Sequence, residues 1–231
     1  MNRLVPEHYS GISDYALLTN KTVSDILFSR PLSNTSQTKG TSSDKFIANK
    51  DVYTGYVHNQ YGFGGNTLNR NDFYLGAEAG SNKVSLGAMV LGSTGSMNST
   101  YGNGSVDGVG GTVYARGALT PDFRVMSSVG YSNYNYNLNR SAMTGTTTAT
   151  TSSDGINADL GMTYLAFNQN GYSVQPRIGV GYGDFRVNGF QENGAIQKLA
   201  IAGHNASRLS GQAGAIMTKD FEVARGVKKS V

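Results

Sequence analysis

The chain has 231 residues, a net charge of +4 and no cysteine, with Gly at 31 positions, Tyr at 14 and charged residues at only 15%. The lack of thiols excludes a disulfide framework or a cysteine metal site, and the scattered basic excess, with no stripe of base and aromatic, excludes a nucleic-acid partner. The composition is poor for a helical enzyme and good for many strands and turns.

The opening run MNRLVPEHYSG has no apolar h-region, so it does not read as a secretory signal; the chain is either soluble and cytoplasmic or a piece of a longer precursor. From Ser13 to Arg30 the spacing of Tyr15, Leu18, Thr22 and Ile26 predicts a helix, with Ser13 or Asp14 as its cap and Pro31 limiting its extension. A polar Ser/Thr/Asn/Lys stretch to about Asp44 reads as a linker. Residues 1–44 are thus expected to be helix and linker, and 45–231 the main domain.

Beyond it the period changes to two. Eight strands are expected, at about Val52–Asn59, Asp72–Ala79, Lys83–Leu91, Gly108–Leu119, Phe123–Tyr134, Gly155–Phe167, Tyr172–Phe185 and Ser207–Phe221, in an all-β antiparallel meander. In the sixth and seventh, Ile156, Ala158, Leu160, Met162 and Tyr164, then Tyr172, Val174, Pro176, Ile178, Val180 and Tyr182, share the apolar face. Asn157, Asp159 and Thr163, then Ser173, Gln175 and Arg177, oppose them.

Alternation alone does not choose between a soluble sandwich and a membrane barrel. Three features favour the barrel. Connections alternate between tight (Ser81-Asn82, Thr120–Asp122, Asn168–Gly171) and long and polar (Gln60–Asn71, Gly92–Asp107, Asn135–Asp154, Asn188–Ala206), as in outer-membrane barrels. Aromatics at Tyr53, Phe73, Tyr131, Tyr134, Tyr136, Tyr164, Tyr172 and Tyr182 are expected to form interfacial girdles. The faces opposite the apolar rows are rich in Gly and Ser, unlike a charged soluble surface. No apolar run approaches the roughly 20 residues of a membrane helix, but a barrel strand needs only about 9 to 11.

The predicted helix and linker, the run GINADLGMTYLAFNQNGYSVQPRIGVGYGDFRVNGFQENG from Gly155 to Gly194, and the later SRLSGQAGAIM resemble the β-barrel translocator domain of type V secretion autotransporters. The resemblance covers about Asp51 to Phe221 as strands and Ser13 to Arg30 as the helix. It implies an up-and-down outer-membrane β-barrel with about eight of a probable twelve strands present, and an N-terminal α-helix in the lumen. It further implies a bacterial outer-membrane location, the lipid bilayer and barrel-assembly machinery as partners, and export and surface anchoring of an N-terminally fused passenger. The chain stops at GVKKSV, short of the expected later strands, and is read as C-terminally truncated. The competing reading is a self-contained eight-stranded barrel acting as an adhesin or structural protein; a third is a soluble secreted β-domain.

Glu78, Arg116, Arg124, Asp159 and Arg177 fall on the face opposite the apolar rows and are expected to line the pore, either contacting the helix through Asp14, Lys21, Asp25 or Arg30 or simply solvating the interior. Some family members cut their own helix with an Asn and acidic lumen residues, which would cast Asn20 with Glu78 or Asp159, but the helix has no Asn-Asn pair. His8, His58 and His204 lie far apart in sequence, with no metal-ligand spacing. No GxSxG elbow or GxxxxGK[ST] loop occurs. No cofactor, metal or catalytic residue is assigned.

Overall fold

The structure is a computed structural model; it describes residues 7–29, 49–63, 66–81, 83–142, 145–169, 172–196, 198–224 and 227–230. One helix, α1 (Glu7–Ser29), precedes eight long strands: β1 (Asn49–Phe63), β2 (Asn66–Gly80), β3 (Val84–Ser99), β4 (Gly102–Ala118), β5 (Phe123–Ala142), β6 (Gly145–Tyr164), β7 (Tyr172–Val187) and β8 (His204–Ala224). A short β9 (Val227–Ser230) follows. Each strand pairs antiparallel with the next, in the order β1 to β9, so the sheet is an up-and-down meander curled around α1. Among the described residues β1 pairs with β2 alone and β9 with β8 alone.

The expected strands are all present but taller. Gln60–Asn71, Gly92–Asp107 and Asn135–Asp154 are not loops: the ladders run on to Phe63↔Asn66, Ser99↔Gly102 and Ala142↔Gly145. Of these connections, only that between β7 and β8 is an extended strap among the described residues. Its pairs Phe190–Gln191 and Ala200–Ile201 join each other, while Asn193–Gly194 joins β6 at Thr148 and Thr147. We call the rim carrying the strap upper, and that of the turns after β2, β4 and β6 lower. At the lower rim β6 ends at Tyr164, and Phe167–Gln169 forms a separate short strand on β7. Asn82, Asn170 and Gly171, and the expected linker to Asp44, lie outside the described residues.

The reason for the missed extensions is an inversion of the apolar row. In β5, Val129 and Tyr131 point outward and are 57% and 53% exposed, whereas three residues on, Tyr134 and Tyr136 are 0% and 1% exposed and point inward. The switch recurs from Val180 and Tyr182 outward to Phe185 and Val187 inward on β7, and from Val109 outward to Val106 inward on β4. Below it the apolar residues face outward; above it the outer face is polar and the inner face apolar, as in a water-soluble sheet. From Phe123 to Tyr131 the strand covers about 26 Å, or a height of about 20 Å at a tilt of about 40°, close to that of the apolar band expected of an outer-membrane barrel. Tyr53, Tyr134 and Tyr136 are therefore not girdle residues. Tyr53 is half-buried inward, its hydroxyl donating to that of Tyr114 at 2.9 Å.

The helix begins at Glu7, not Ser13. The run HYSGIS has weak helix propensity; burial of Tyr9 and Ile12 against the upper barrel wall carries the extra turns. Tyr15, Ala16 and Leu18 pack with Leu68, Met97, Val106 and Leu138 in one core, and Val23, Ile26, Leu27 and Phe28 with Met89, Leu91, Tyr114 and Met126 in a lower one. A helix buried nearly all round behaves as a core element. Its least buried stripe is Asp14, Lys21 and Asp25, with Lys21 and Asp25 joined by an i,i+4 bridge of 2.5 Å.

Candidate functional site

The site is the helix-filled lumen. At its centre stands Arg70, fully buried on β2 with Asp72 two residues on and on the same face. The Arg70 Nε donates to Asp72 Oδ1 and Oδ2 at 3.0 and 2.8 Å. Nη1 donates to the Tyr15 carbonyl and Thr19 Oγ1 at 3.1 and 3.2 Å, and Nη2 to Ser93 Oγ and Tyr134 Oη at 3.1 and 2.9 Å. Ser93 Oγ in turn donates to Asp72. The guanidinium lies 5.0 and 5.3 Å from the rings of Tyr15 and Tyr134. All five of its donors face acceptors, which a guanidinium excluded from water requires.

Below this centre lie the residues singled out from sequence. Glu78 and Arg116 pair with each other at 3.1 Å, both buried, and Tyr114 Oη donates to the same carboxylate at 3.1 Å. Asp159 accepts from Ser128 and from Ser24 of α1 at 3.2 and 3.3 Å. Arg177 Nη2 donates to Asp25 of α1 at 3.1 Å and sits 5.3 Å from the Phe28 ring. Arg124 is half-buried at the lower end of β5. Of the helix residues named for such contacts, Asp25 meets Arg177; Lys21 turns to Asp25 instead; Asp14 lies within electrostatic reach of Arg208; and Arg30 lies outside the described residues. Gly161 admits the helix closely, since a Cβ there would lie 1.8 Å from Phe28 Cζ.

At the upper rim the strap closes on the helix. Glu192, fully buried, accepts from Arg140 Nε and Nη2 at 2.6 Å each, from the Leu199 amide at 2.8 Å, and from the Tyr9 hydroxyl. Burial pushes this carboxyl up, but the bonds from Arg140, Tyr9 and Leu199 outweigh it and hold it down to about 2. Phe190 meets the Tyr9 ring edge to face at 5.0 Å, and Ser13 Oγ lies 3.1 Å from His204 Nε2. Sequence reasoning missed Arg70, Asp72, Arg140 and Glu192. The first two were readable as a continuation of the β2 inward row, Leu68, Arg70 and Asp72; Glu192 carries no periodic signal.

The whole is a curled antiparallel meander with an outward apolar row, threaded by an N-terminal helix. The autotransporter beta-domain family model matches residues 51–229. The chain belongs to the autotransporter β-domain family. Its fold is similar to the translocator domain of autotransporter NalP from Neisseria meningitidis, with a TM-score of 0.70 at 13% identity over 94% of this chain and 73% of that one. It is also similar to the β domain of the Bordetella autotransporter BrkA, with a TM-score of 0.61 at 15% identity over 76% of this chain and 71% of that one. Comparison with curated protein sequences gives no match. As an autotransporter β-domain the chain is a β-barrel protein of the bacterial outer membrane, and the outward row from Phe123 to Tyr131 is its lipid face.

Proposed function

We propose that this autotransporter β-domain supports export of a passenger fused ahead of residue 1 and then anchors it at the cell surface, with residues 1–44 as the tether and 45–231 as the barrel. The observation that carries this reading is the course of α1. Its N-terminal end meets the strap at the upper rim through Tyr9, and its C-terminal end reaches Arg177 at the lower one through Asp25 and Phe28. A segment joined to Glu7 would thus emerge at the upper rim, while β1 starts from the lower one. The lumen contacts of Glu78, Arg116, Arg124, Asp159 and Arg177 are read as pore-lining: they hydrate the interior and steady the tether, without chemistry of their own. The partners are the outer-membrane bilayer, the passenger and the barrel-assembly machinery. Because β1 and β9 do not pair among the described residues and α1 fills the lumen, the observations favour this over a self-contained eight-stranded adhesin.

A reporter fused ahead of Met1, behind a secretory signal, is expected on the surface of Gram-negative cells, where added protease digests it without lysis. A heat-modifiable barrel in the outer membrane, with the reporter protected inside, would refute export.

A further inference from the structure

Three side chains from three strands end on main-chain carbonyls of α1. Tyr136 Oη of β5 donates to the Ile12 carbonyl at 3.3 Å, Arg70 Nη1 of β2 to that of Tyr15 at 3.1 Å, and Arg208 Nη2 of β8 to that of Leu17 at 3.0 Å. At about 100° of rotation and 1.5 Å of rise per residue, the Ile12 and Tyr15 carbonyls lie about 60° apart and that of Leu17 about 140° or more from either, so the donors reach the helix from different sides over about 7.5 Å of its length. Each carbonyl has a second lone pair beyond the one used by its own intrahelical bond. Arg70 is held in place by Asp72 and Ser93, and Tyr136 by Ser153 at 2.9 Å. Arg70 and Tyr136 are therefore oriented by the barrel itself.

Lower down the contacts change kind. Ser24 Oγ accepts from Gln212 Nε2 at 2.5 Å and donates to Asp159, and Asp25 takes Arg177. These are bonds to side chains of the resident segment, which another segment would not offer. A carbonyl is offered by every residue. Tyr15 and Thr19 add to the upper grip through the Arg70 guanidinium, but the three carbonyls do not depend on them.

We propose that Tyr136, Arg70 and Arg208 form a main-chain binding ring whose ligand is the carbonyl row of whatever helical polypeptide occupies the lumen, while Ser24 and Asp25 set the register at which the resident segment stops. The inference rests on the export reading, because only a passing chain presents successive segments to one ring. It gives the upper lumen a grip on the main chain that does not depend on the occupant's sequence, beside the resident contacts of Tyr9, Ser13 and Thr19, and leaves the lower lumen to side-chain bonds alone.

The test uses the full chain in detergent micelles and hydrogen exchange at the amides of Ala16 and Lys21, whose intrahelical bonds end on the Ile12 and Leu17 carbonyls. Arg70 is left intact because its loss would strand buried Asp72. Tyr136→Phe is expected to speed exchange at Ala16, and Arg208→Met at Lys21, each about 5- to 10-fold, one net hydrogen bond. The side-chain swap I12L/L17M is expected to change neither by more than about twofold, as volume-conserving substitutions are well tolerated. In a background with cysteines at positions 20 and 183, where Asn20 lies 3.3 Å from the Cβ position of Gly183, S24A/D25N is expected to lower the disulfide yield while Ala16 and Lys21 stay protected. Unchanged exchange in Y136F and R208M, or loosening by I12L/L17M equal to theirs, would overturn the ring; an unchanged disulfide yield would overturn the register assignment. If the exchange pattern holds but the surface reporter fails, the export reading falls and the ring stands; if display succeeds while exchange is unchanged, the ring falls alone.

Discussion

Replacing Glu192 by Gln removes the charge that draws the strap onto the helix and keeps the shape of the side chain. Its carboxyl drops from an ordinary 4.5 to about 2 in the folded chain, an upper bound of about 3 kcal/mol of linkage. The bond inventory gives a similar figure: two bonds from Arg140 at 2.6 Å are charge-assisted, at about 1.5–3 kcal/mol each before desolvation is offset. Because the folded value is depressed, this stability is present above about 4.5 and is lost as pH falls through about 2. Hydrogen exchange at the Leu199 amide, corrected for intrinsic rates, reads the strap directly, since that N–H bonds Glu192 at 2.8 Å. E192Q should lose about 100-fold of protection at pH 6, and its remaining protection should no longer vary between pH 5 and 2, whereas the wild-type chain should lose protection across that window. A wild-type strap equally protected at pH 6 and pH 2, or a wild-type pH profile in E192Q, would refute the reasoning.

Arg70→Met should cost about 3–5 kcal/mol in urea unfolding, because it leaves Asp72 charged and buried; R70M/D72L should recover much of that. Gly161→Ala places a methyl on the Phe28 ring and should cost about 1–3 kcal/mol, with a double-mutant cycle against Phe28→Ala showing that the two are coupled. Val129→Arg, on the outward apolar row, should weaken folding into vesicles by about 2–4 kcal/mol. Asn137→Arg, outward but above the inversion, should be near neutral, and equal costs at the two sites would contradict the placement of the membrane boundary.

The lower half of the barrel was legible because outward lipid contact and inward polarity impose strict period two, as from Ile156 to Tyr164 and from Tyr172 to Tyr182. The upper half was not. There the backbone ladder persists while the apolar residues change sides, so Tyr134 and Tyr136 imitate girdle aromatics, and the Asn- and Thr-rich outer face imitates a loop. The start of α1 was hidden for a related reason: Tyr9 and Ile12 are held by the upper core and not by local propensity. Glu192 depends on contacts spanning 52 residues to Arg140 and 183 to Tyr9, which no local pattern encodes.

The inverted apolar row also bears on what the barrel would be without its helix. Leu68, Met97, Val106 and Leu138 now touch α1; with that segment withdrawn they would line a greasy throat above the polar Arg70–Asp72 level. Water leaves narrow apolar constrictions readily. An emptied lumen would thus hold its own vapour plug, and single-channel recordings of a helix-deleted barrel should show conductance that rises when Leu68 and Leu138 are made polar.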